Sequence, residues 1–317
     1  MAVYLNEAEV SSLLDMPLVM SAVELVMMAH ARGEVVDYPR QRVRMPGSMT
    51  HLLQAGLPHE RLSGFKVYTS AGGQNRFWVH LFDADSGAAL AVLEADRLGM
   101  MRTGAAGGLA TRCLARENAA VVGVFGAGWQ AEGQILALSE LKSWTVIKVF
   151  ARNTARVEAF CARMRDLTGQ NIVPAASAEE TVRDSDVVVN ITTSPKPLFE
   201  AAWLKECAHI TAAGSNSLVR QEISEAVLRQ VDLICVDSRE TAVREAGDLL
   251  PLTEKGRGRP EQWAELGEIL CGMRPGRRHP SQLTLFESQG LGIQDLAVAA
   301  RVLERAREQG LGVALPY

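Results

Sequence analysis

The chain has few cysteines, no long apolar run and no marked excess of either charge. Its five cysteines (Cys113, Cys161, Cys207, Cys235, Cys271) are odd in number and scattered, without a C-x-x-C pair. They read as reduced, mostly buried thiols of a cytoplasmic protein, not as a disulfide framework. No run of about 18 uncharged apolar residues is present, so no membrane span is expected. The net charge of -4 comes without any Lys/Arg block, which leaves no electrostatic footprint for nucleic acid. The opening MAVYLNEAEV has neither a basic n-region nor an apolar h-region, so no secretory signal is expected. The six histidines form no H-E-x-x-H and join no carboxylate cluster, so no metal is expected. A P-loop and a Ser-His-Asp arrangement are also absent. What is there is a globular composition, 47% hydrophobic and 22% charged, over 317 residues, which is room for two domains of ordinary size.

One stretch, Ala119–Gln134, AAVVGVFGAGWQAEGQ, has the form of a phosphate-binding turn. A β-type run, Val121 to Phe125, leads into Gly126-Ala127-Gly128-Trp129-Gln130-Ala131 and then a helix-forming segment. A dinucleotide pyrophosphate needs that order: buried strand, tight glycine turn, and a helix N-terminus whose N–H groups face the phosphates. Gly126 permits the turn, Gly128 keeps a Cβ out of the ligand's way, and Ala131 lets the helix pack closely on the strand. A G-x-G-x-x-A pattern alone is weak, but the flanking strand and helix supply its context.

Residues 1–113 do not alternate strand and helix. Asp15 and Pro17 open a helix with Val19, Val23, Val26 and Met27 at apolar positions, and Gly33 closes it. Short β-type runs at 42–45, 51–55, 64–69, 77–82 and 89–93, parted by Pro-Gly, Gly-Gly and Asp-Ser-Gly turns, predict an antiparallel sheet. Asp96 is placed to cap a helix over 97–115 that contains Gly104, Ala105, Ala106, Gly107, Gly108 and Ala110. Such a helix has poor intrinsic propensity and makes sense where another element packs very closely. Residues 114–292 alternate apolar strands (120–125, 146–150, 187–192, 210–213, 233–236, 283–286) with helices, 155–168 and 221–229 among them. That pattern predicts a parallel sheet covered on both faces. The expected fold is therefore α/β, with a Rossmann-type doubly wound domain at 114–292 and a mixed α+β domain at 1–113. The last helix, within 293–317, is expected to return to the latter.

The tip of the second strand bears on the cofactor. A free ribose 2′-OH usually meets an Asp or Glu there, whereas a 2′-phosphate prefers Arg. The residues present are Arg152-Asn153-Thr154, with no acid. Arg152, helped by Asn153 or Thr154, would fork onto a phosphate, which favours NADP(H) over NAD(H). The plain alternative is a solvated Arg in a βα loop.

Several segments together resemble a known family. GFK (64–66), EADRLGMMRTGAAGGLATR (94–112), GVFGAGWQAEGQ (123–134), VDSRE (236–240) and SQGLGIQD (288–295) look like the ornithine cyclodeaminase/μ-crystallin family, in its order and over nearly the whole chain. That family includes ornithine and lysine cyclodeaminases, archaeal-type alanine dehydrogenases, ketimine and pyrroline-2-carboxylate reductases, and μ-crystallin. The resemblance implies a homodimer joined through the non-Rossmann domain, with a small amino or imino acid bound in the cleft between domains. It also implies a clamp of an Arg, a Lys and a second Arg on the substrate carboxylate. The Lys matches Lys66 and the second Arg matches Arg102. The first Arg falls in 38–46, YPRQRVRMP, where counting back from Pro46 favours Arg42 and leaves Arg40 as a competitor. Guanidinium groups hold a small carboxylate in one orientation, and Lys66 would protonate an imine nitrogen if burial lowers its pKa. Thr103, next to Arg102, and Leu291, in the loop that matches the family's nicotinamide side, are expected at the cofactor. Thr192, after an apolar strand, is expected there too, with simple turn chemistry as the alternative.

Two departures from the family pattern matter. The cyclodeaminases and archaeal-type alanine dehydrogenases carry an Asp general base in a glycine turn. The matching turn here is Ala213-Gly214-Ser215-Asn216, and Asn216 hydrogen-bonds but takes up no proton. The cyclodeaminases also place a Glu near the substrate's distal amine, where this chain has His51. Both argue for reduction of an already formed α-imino acid, or equivalently amino-acid oxidation. Ornithine cyclodeamination and non-catalytic NADPH-dependent binding stand as the alternatives.

Overall fold

In the computed structural model, which describes residues 2–316, the chain divides into two compact units. One comprises residues 1–102 and 290–317, the other 103–289. The chain passes from the first to the second inside the helix Asp96–Leu114, whereas the sequence reading placed that boundary at the helix end. Among the described residues no helix is long and apolar enough to cross a membrane.

The first unit is built on a sheet of β1 (Val3–Leu5), β2 (Val36–Asp37), β3 (Gln41–Met45), β4 (Ser48–Leu57), β5 (Leu62–Ala71), β6 (Gln74–Asp83), β7 (Ala89–Glu94) and the short Val313–Ala314. From one edge the order is Val313–Ala314, β1, β7, β6, β5, β4 and β2, with β3 also paired to β4. Its pairs are antiparallel except β1 with β7, so the sheet is mixed, where the sequence predicted a purely antiparallel one. The three-residue β1 offered no readable alternation, so its parallel pairing was invisible. The helix Met16–Ala31 begins as expected, with the Asp15 carboxylate accepting from the Leu18 N–H at 2.8 Å. The helix Asp96–Leu114 is capped differently. Glu7 accepts from the N–H groups of Asp96 (3.0 Å) and Arg97 (2.8 Å), so a distant carboxylate satisfies these orphan donors in place of Asp96. The last helix, Gly292–Gln309, packs against the helix Met16–Ala31 and strands β4 to β6.

The second unit is a parallel sheet of β8 (Val121–Phe125), β9 (Val146–Phe150), β10 (Ile172–Pro174), β11 (Val187–Asn190), β12 (His209–Ala212), β13 (Leu233–Val236), β14 (Ala264–Glu265) and β15 (Thr284–Glu287). The order is β10-β9-β8-β11-β12-β15-β13-β14. Both faces are covered. Val122, Val124, Val149, Val187 and Val189 pack with helix residues such as Ile135 and Phe160, while Val188, Ile210, Val236 and Leu285 pack with Phe199, Val227 and Leu249 on the other face. The chain leaves β8 for β9 and β10 on one side and later returns to β11 on the other, so the sheet has its switch point beside β8. The small residues after Arg102 have their reason here. A Cβ on Gly104 would lie 2.1 Å from the Gly133 carbonyl oxygen, and one on Gly108 would lie 2.8 Å from the Ala137 Cβ. The expected helix at 221–229 shrinks to Glu225–Leu228. The N–H groups of Glu222 and Ile223 donate to the Asp248 carboxylate (2.6 and 2.8 Å), and Ser224 caps the short helix.

Candidate functional site

The first unit gathers the basic residues that the sequence singled out. Side chains alternate along a strand, so Lys66 and Tyr68 of β5 share a face. Register puts Leu53 and His51 of β4 opposite them, Val79 and Phe77 of β6 on their other side, and Arg42 of β3 opposite His51. This face carries the buried Leu53, Leu57, Val79 and Leu81, and Lys66 lies among them at 2% exposure. A lysine there needs a partner. Its Nζ donates to Asp295 Oδ1 at 2.8 Å and sits 5.1 Å from the centre of the Phe77 ring.

Arg102 reaches the same oxygen. Its Nε donates to Asp295 Oδ1 at 3.1 Å and its Nη1 to Gln294 Oε1 at 3.0 Å. Two glycines make room for the cationic heads. A Cβ on Gly99 would lie 2.7 Å from Lys66 Nζ. Gly290, at φ +77°, brings backbone so close that its Cβ would lie 2.4 Å from Arg102 Nη1. Burial pulls the Lys66 ammonium down to about 8; Asp295 pulls it back up, and Arg102 and Arg40 push it down. Burial, with Arg40 and Arg42 nearby, lowers His51 to about 4, so its ring is neutral at physiological pH and stacks on Tyr68 with centroids 4.1 Å apart. Arg40 is buried and its charge acts on both Lys66 and His51, whereas Arg42 lies in the exposed β3 and acts on His51. Leu291 is buried at the N-cap of the last helix.

The second unit holds the glycine loop. Gly126 has φ +118°, and a Cβ there would meet the Ile191 carbonyl oxygen at 2.6 Å, so the turn requires glycine. Gly128 is the N-cap of the helix Trp129–Leu141 and gives it no side-chain cap. A Cβ on Gly128 would meet only the Arg156 Nη2, at 3.7 Å, which leaves open space in front of the uncapped helix N-terminus. Gln130 Oε1 is buried without a hydrogen-bond partner. An uncapped helix N-terminus directly after a glycine turn fits a phosphate-bearing ligand, whereas Gln130 Oε1 is an acceptor and would need a donor. Ala127 is buried and Trp129 exposed. At the end of β9, Arg152 and Thr154 are exposed, while Asn153 caps the next helix by accepting from the Arg156 N–H at 3.0 Å. The sequence reading missed Arg156, whose Nε donates to the Ala127 carbonyl at 3.1 Å and thereby braces the loop. Its place one turn beyond Asn153 was the available signal. Thr103 is buried, its carbonyl accepting from Gln134 Nε2 at 3.2 Å.

Thr192 and the turn after β12 meet at a residue that the sequence also passed over. The Thr192 N–H donates to Glu222 Oε1 at 3.0 Å and its hydroxyl donates to the same oxygen. Glu222 is 1% exposed and its Oε2 has no partner; a Cβ on Gly214 would strike that atom. Burial raises the Glu222 carboxyl to about 7, and Asp248 adds to this. Asn216 is half-buried two residues beyond Gly214.

A model of the ornithine cyclodeaminase/mu-crystallin family matches residues 2–310. The chain is 34% identical over 235 residues to a Δ1-pyrroline-2-carboxylate reductase of Bacillus cereus, covering 74% of this chain and 72% of that one. Among solved structures, Thermococcus litoralis Δ1-pyrroline-2-carboxylate reductase in complex with NADH and L-proline superposes with a TM-score of 0.94 at 28% identity, over 99% of this chain and 100% of that one. An archaeal alanine dehydrogenase dimer with bound NAD gives 0.94 at 31% identity, over 100% and 99%.

Glu222 gives the turn a pH signature. A carboxyl raised from 4.5 to about 7 by folding contributes full stability below the unfolded value and loses it as pH rises to about 7. Glu222→Gln does not ionise. Its stability relative to the parent should therefore rise by about 2–3 kcal/mol between pH 5 and pH 8, as read by thermal melts. A pH-independent difference would contradict the buried, protonatable state.

Proposed function

The chain belongs to the ornithine cyclodeaminase/mu-crystallin family, and from that premise we propose that it is a nicotinamide-dependent oxidoreductase reducing a small α-imino acid to the amino acid. The observation that carries the reading is the convergence of buried Lys66 and Arg102 on one shared oxygen. Cations held in that way recognise one compact carboxylate, and bidentate geometry fixes its orientation. Arg40 is the better third member of the clamp, since it is buried and acts on Lys66, while Arg42 flanks His51. Lys66, titrating near 8, holds a proton at Nζ at neutral pH and is the group to deliver it to an imine nitrogen. His51, neutral and stacked, suits an uncharged substrate side chain better than an ammonium.

Gly126, Ala127, Gly128, Trp129 and Gln130 would hold the pyrophosphate. Arg152, with Thr154 and the Asn153 side chain, would hold a 2′-phosphate, which makes NADPH the preferred cofactor and NADH the alternative. Within the second unit, Thr103 and Thr192 would contact the remaining parts. When bound, the nicotinamide supplies the hydride, and the protein's task is distance, orientation and the proton. Reduction of a formed imine needs a proton donor but no internal base, in keeping with Asn216. A cyclodeaminase remains the second reading, favoured only by Glu222, the acid behind Gly214. We further propose a homodimer, as in the archaeal relative, and a cytoplasmic location where the five thiols stay reduced.

Arg102→Ala should lower kcat/KM for the imino acid at least about a hundredfold with an unchanged far-UV spectrum, and Arg102→Lys should fall between. Retained activity in Arg102→Ala would remove Arg102 from the clamp. Arg152→Ala should raise the KM for NADPH about tenfold while leaving that for NADH nearly unchanged. Equal effects on both would reject the phosphate role.

A further inference from the structure

Asp295 lies in the first unit on the last helix, where its neighbours Leu296, Val298, Ala299 and Val302 are all buried. The charged groups around Lys66 come from three elements. They are Asp295 from the last helix, Arg102 and Asp96 from the helix Asp96–Leu114, and Arg40 from the segment before β3; the Phe77 side chain of β6 adds an uncharged ring. We propose that Asp295 is the positioning residue of the clamp: its Oδ1 locks the ammonium of Lys66 and the guanidinium of Arg102 to one point, and its charge leaves the cluster an excess of one positive charge, the complement of one substrate carboxylate.

Three observations carry this. First, Lys66 Nζ and Arg102 Nε share Oδ1, at 2.8 and 3.1 Å, so moving that oxygen moves both donors. Second, the three cations Lys66, Arg102 and Arg40 face the two carboxylates Asp295 and Asp96. Without Asp295 the cations would repel one another in a buried setting, where an uncompensated charge is costly. Third, Asp295 is 0% exposed, yet its Oδ2 has no partner. That oxygen is a buried acceptor left over after Oδ1 has taken both cations. Asp295 also opposes the effect of burial on Lys66, keeping the proton that imine reduction needs. The kinetic part of the proposal rests on the imino-acid reading above; the link between Asp295 and Lys66 does not.

The test separates the two. Lys66 is one of six lysines, so its 13Cε resonance in lysine-labelled protein is assignable with Lys66→Arg. In the parent it should titrate near 8. In Asp295→Asn the Lys66 titration should fall by about one pH unit or more, and the alkaline limb of kcat/KM should move with it. Asp295→Glu keeps the charge but displaces the shared oxygen. It should leave the Lys66 titration near the parent's while raising KM for the imino acid about tenfold. An unmoved Lys66 titration in Asp295→Asn, or a parental KM in Asp295→Glu, overturns the positioning role. A displaced Lys66 titration in a protein that turns over no imino acid supports the Asp295–Lys66 link and overturns the proposed function instead. Should Asp295→Asn not fold, Asp295→Glu carries the test alone through its KM.

Discussion

The interaction on which the first unit depends is the buried triad of Lys66, Arg102 and Asp295. A lysine at 2% exposure on the apolar face of a sheet is tolerable only because a carboxylate meets it, and that carboxylate is fixed by a second cation. Removing one member of such a group typically costs about 3–5 kcal/mol, because the others are left charged and unpaired. The triad ties β5 to two helices far apart in sequence. It also dictates glycine at 99 and 290, where any side chain would collide with the cationic heads. Well-packed hydrophobic residues often replace such buried ion groups without loss of stability. On the proposed function, the retained charges serve to hold the substrate carboxylate.

In the second unit the governing constraint is close backbone approach. The helix after Arg102 is rich in glycine and alanine because the helix that follows the glycine loop lies almost in contact with its backbone. That proximity fixes where the loop sits, directly after β8 at the sheet's switch point. The helix that begins after Gly128 has no side-chain cap, and a Cβ at Gly128 would meet only Arg156 Nη2. Arg156 braces the loop by its bond to Ala127, so the turn is shaped before any ligand arrives.

Much of this was legible in the sequence, for physical reasons that differ by element. The strand–glycine–helix order at 121–134 is local, and so were its consequences. The strands β5, β6, β8 and β9 announce themselves by alternation or continuous apolar runs. The family resemblance supplied Lys66 and Arg102, which the fold brings together. What escaped depends on contacts distant in sequence. Glu7 capping a helix at residue 96 leaves no local trace, nor does the Asp248 carboxylate that shortens the helix after Glu222. Asp295 did leave one: an acid flanked by Leu296, Val298 and Ala299 on an apolar helix must have a buried partner. Counting back from Pro46 favours Arg42 over Arg40; that Arg40 is buried and Arg42 exposed is a difference that spacing does not carry.

The most direct test is NADPH consumption by the purified protein against a panel of cyclic and linear α-imino acids, with ornithine plus NAD in parallel. The account predicts rapid NADPH oxidation on at least one imino acid and no proline or ammonia from ornithine. Proline and ammonia from ornithine would contradict it and assign the turn at Asn216, backed by Glu222, a role in base catalysis. Silence in both arms would contradict it in the other direction and leave a nicotinamide-dependent binding protein.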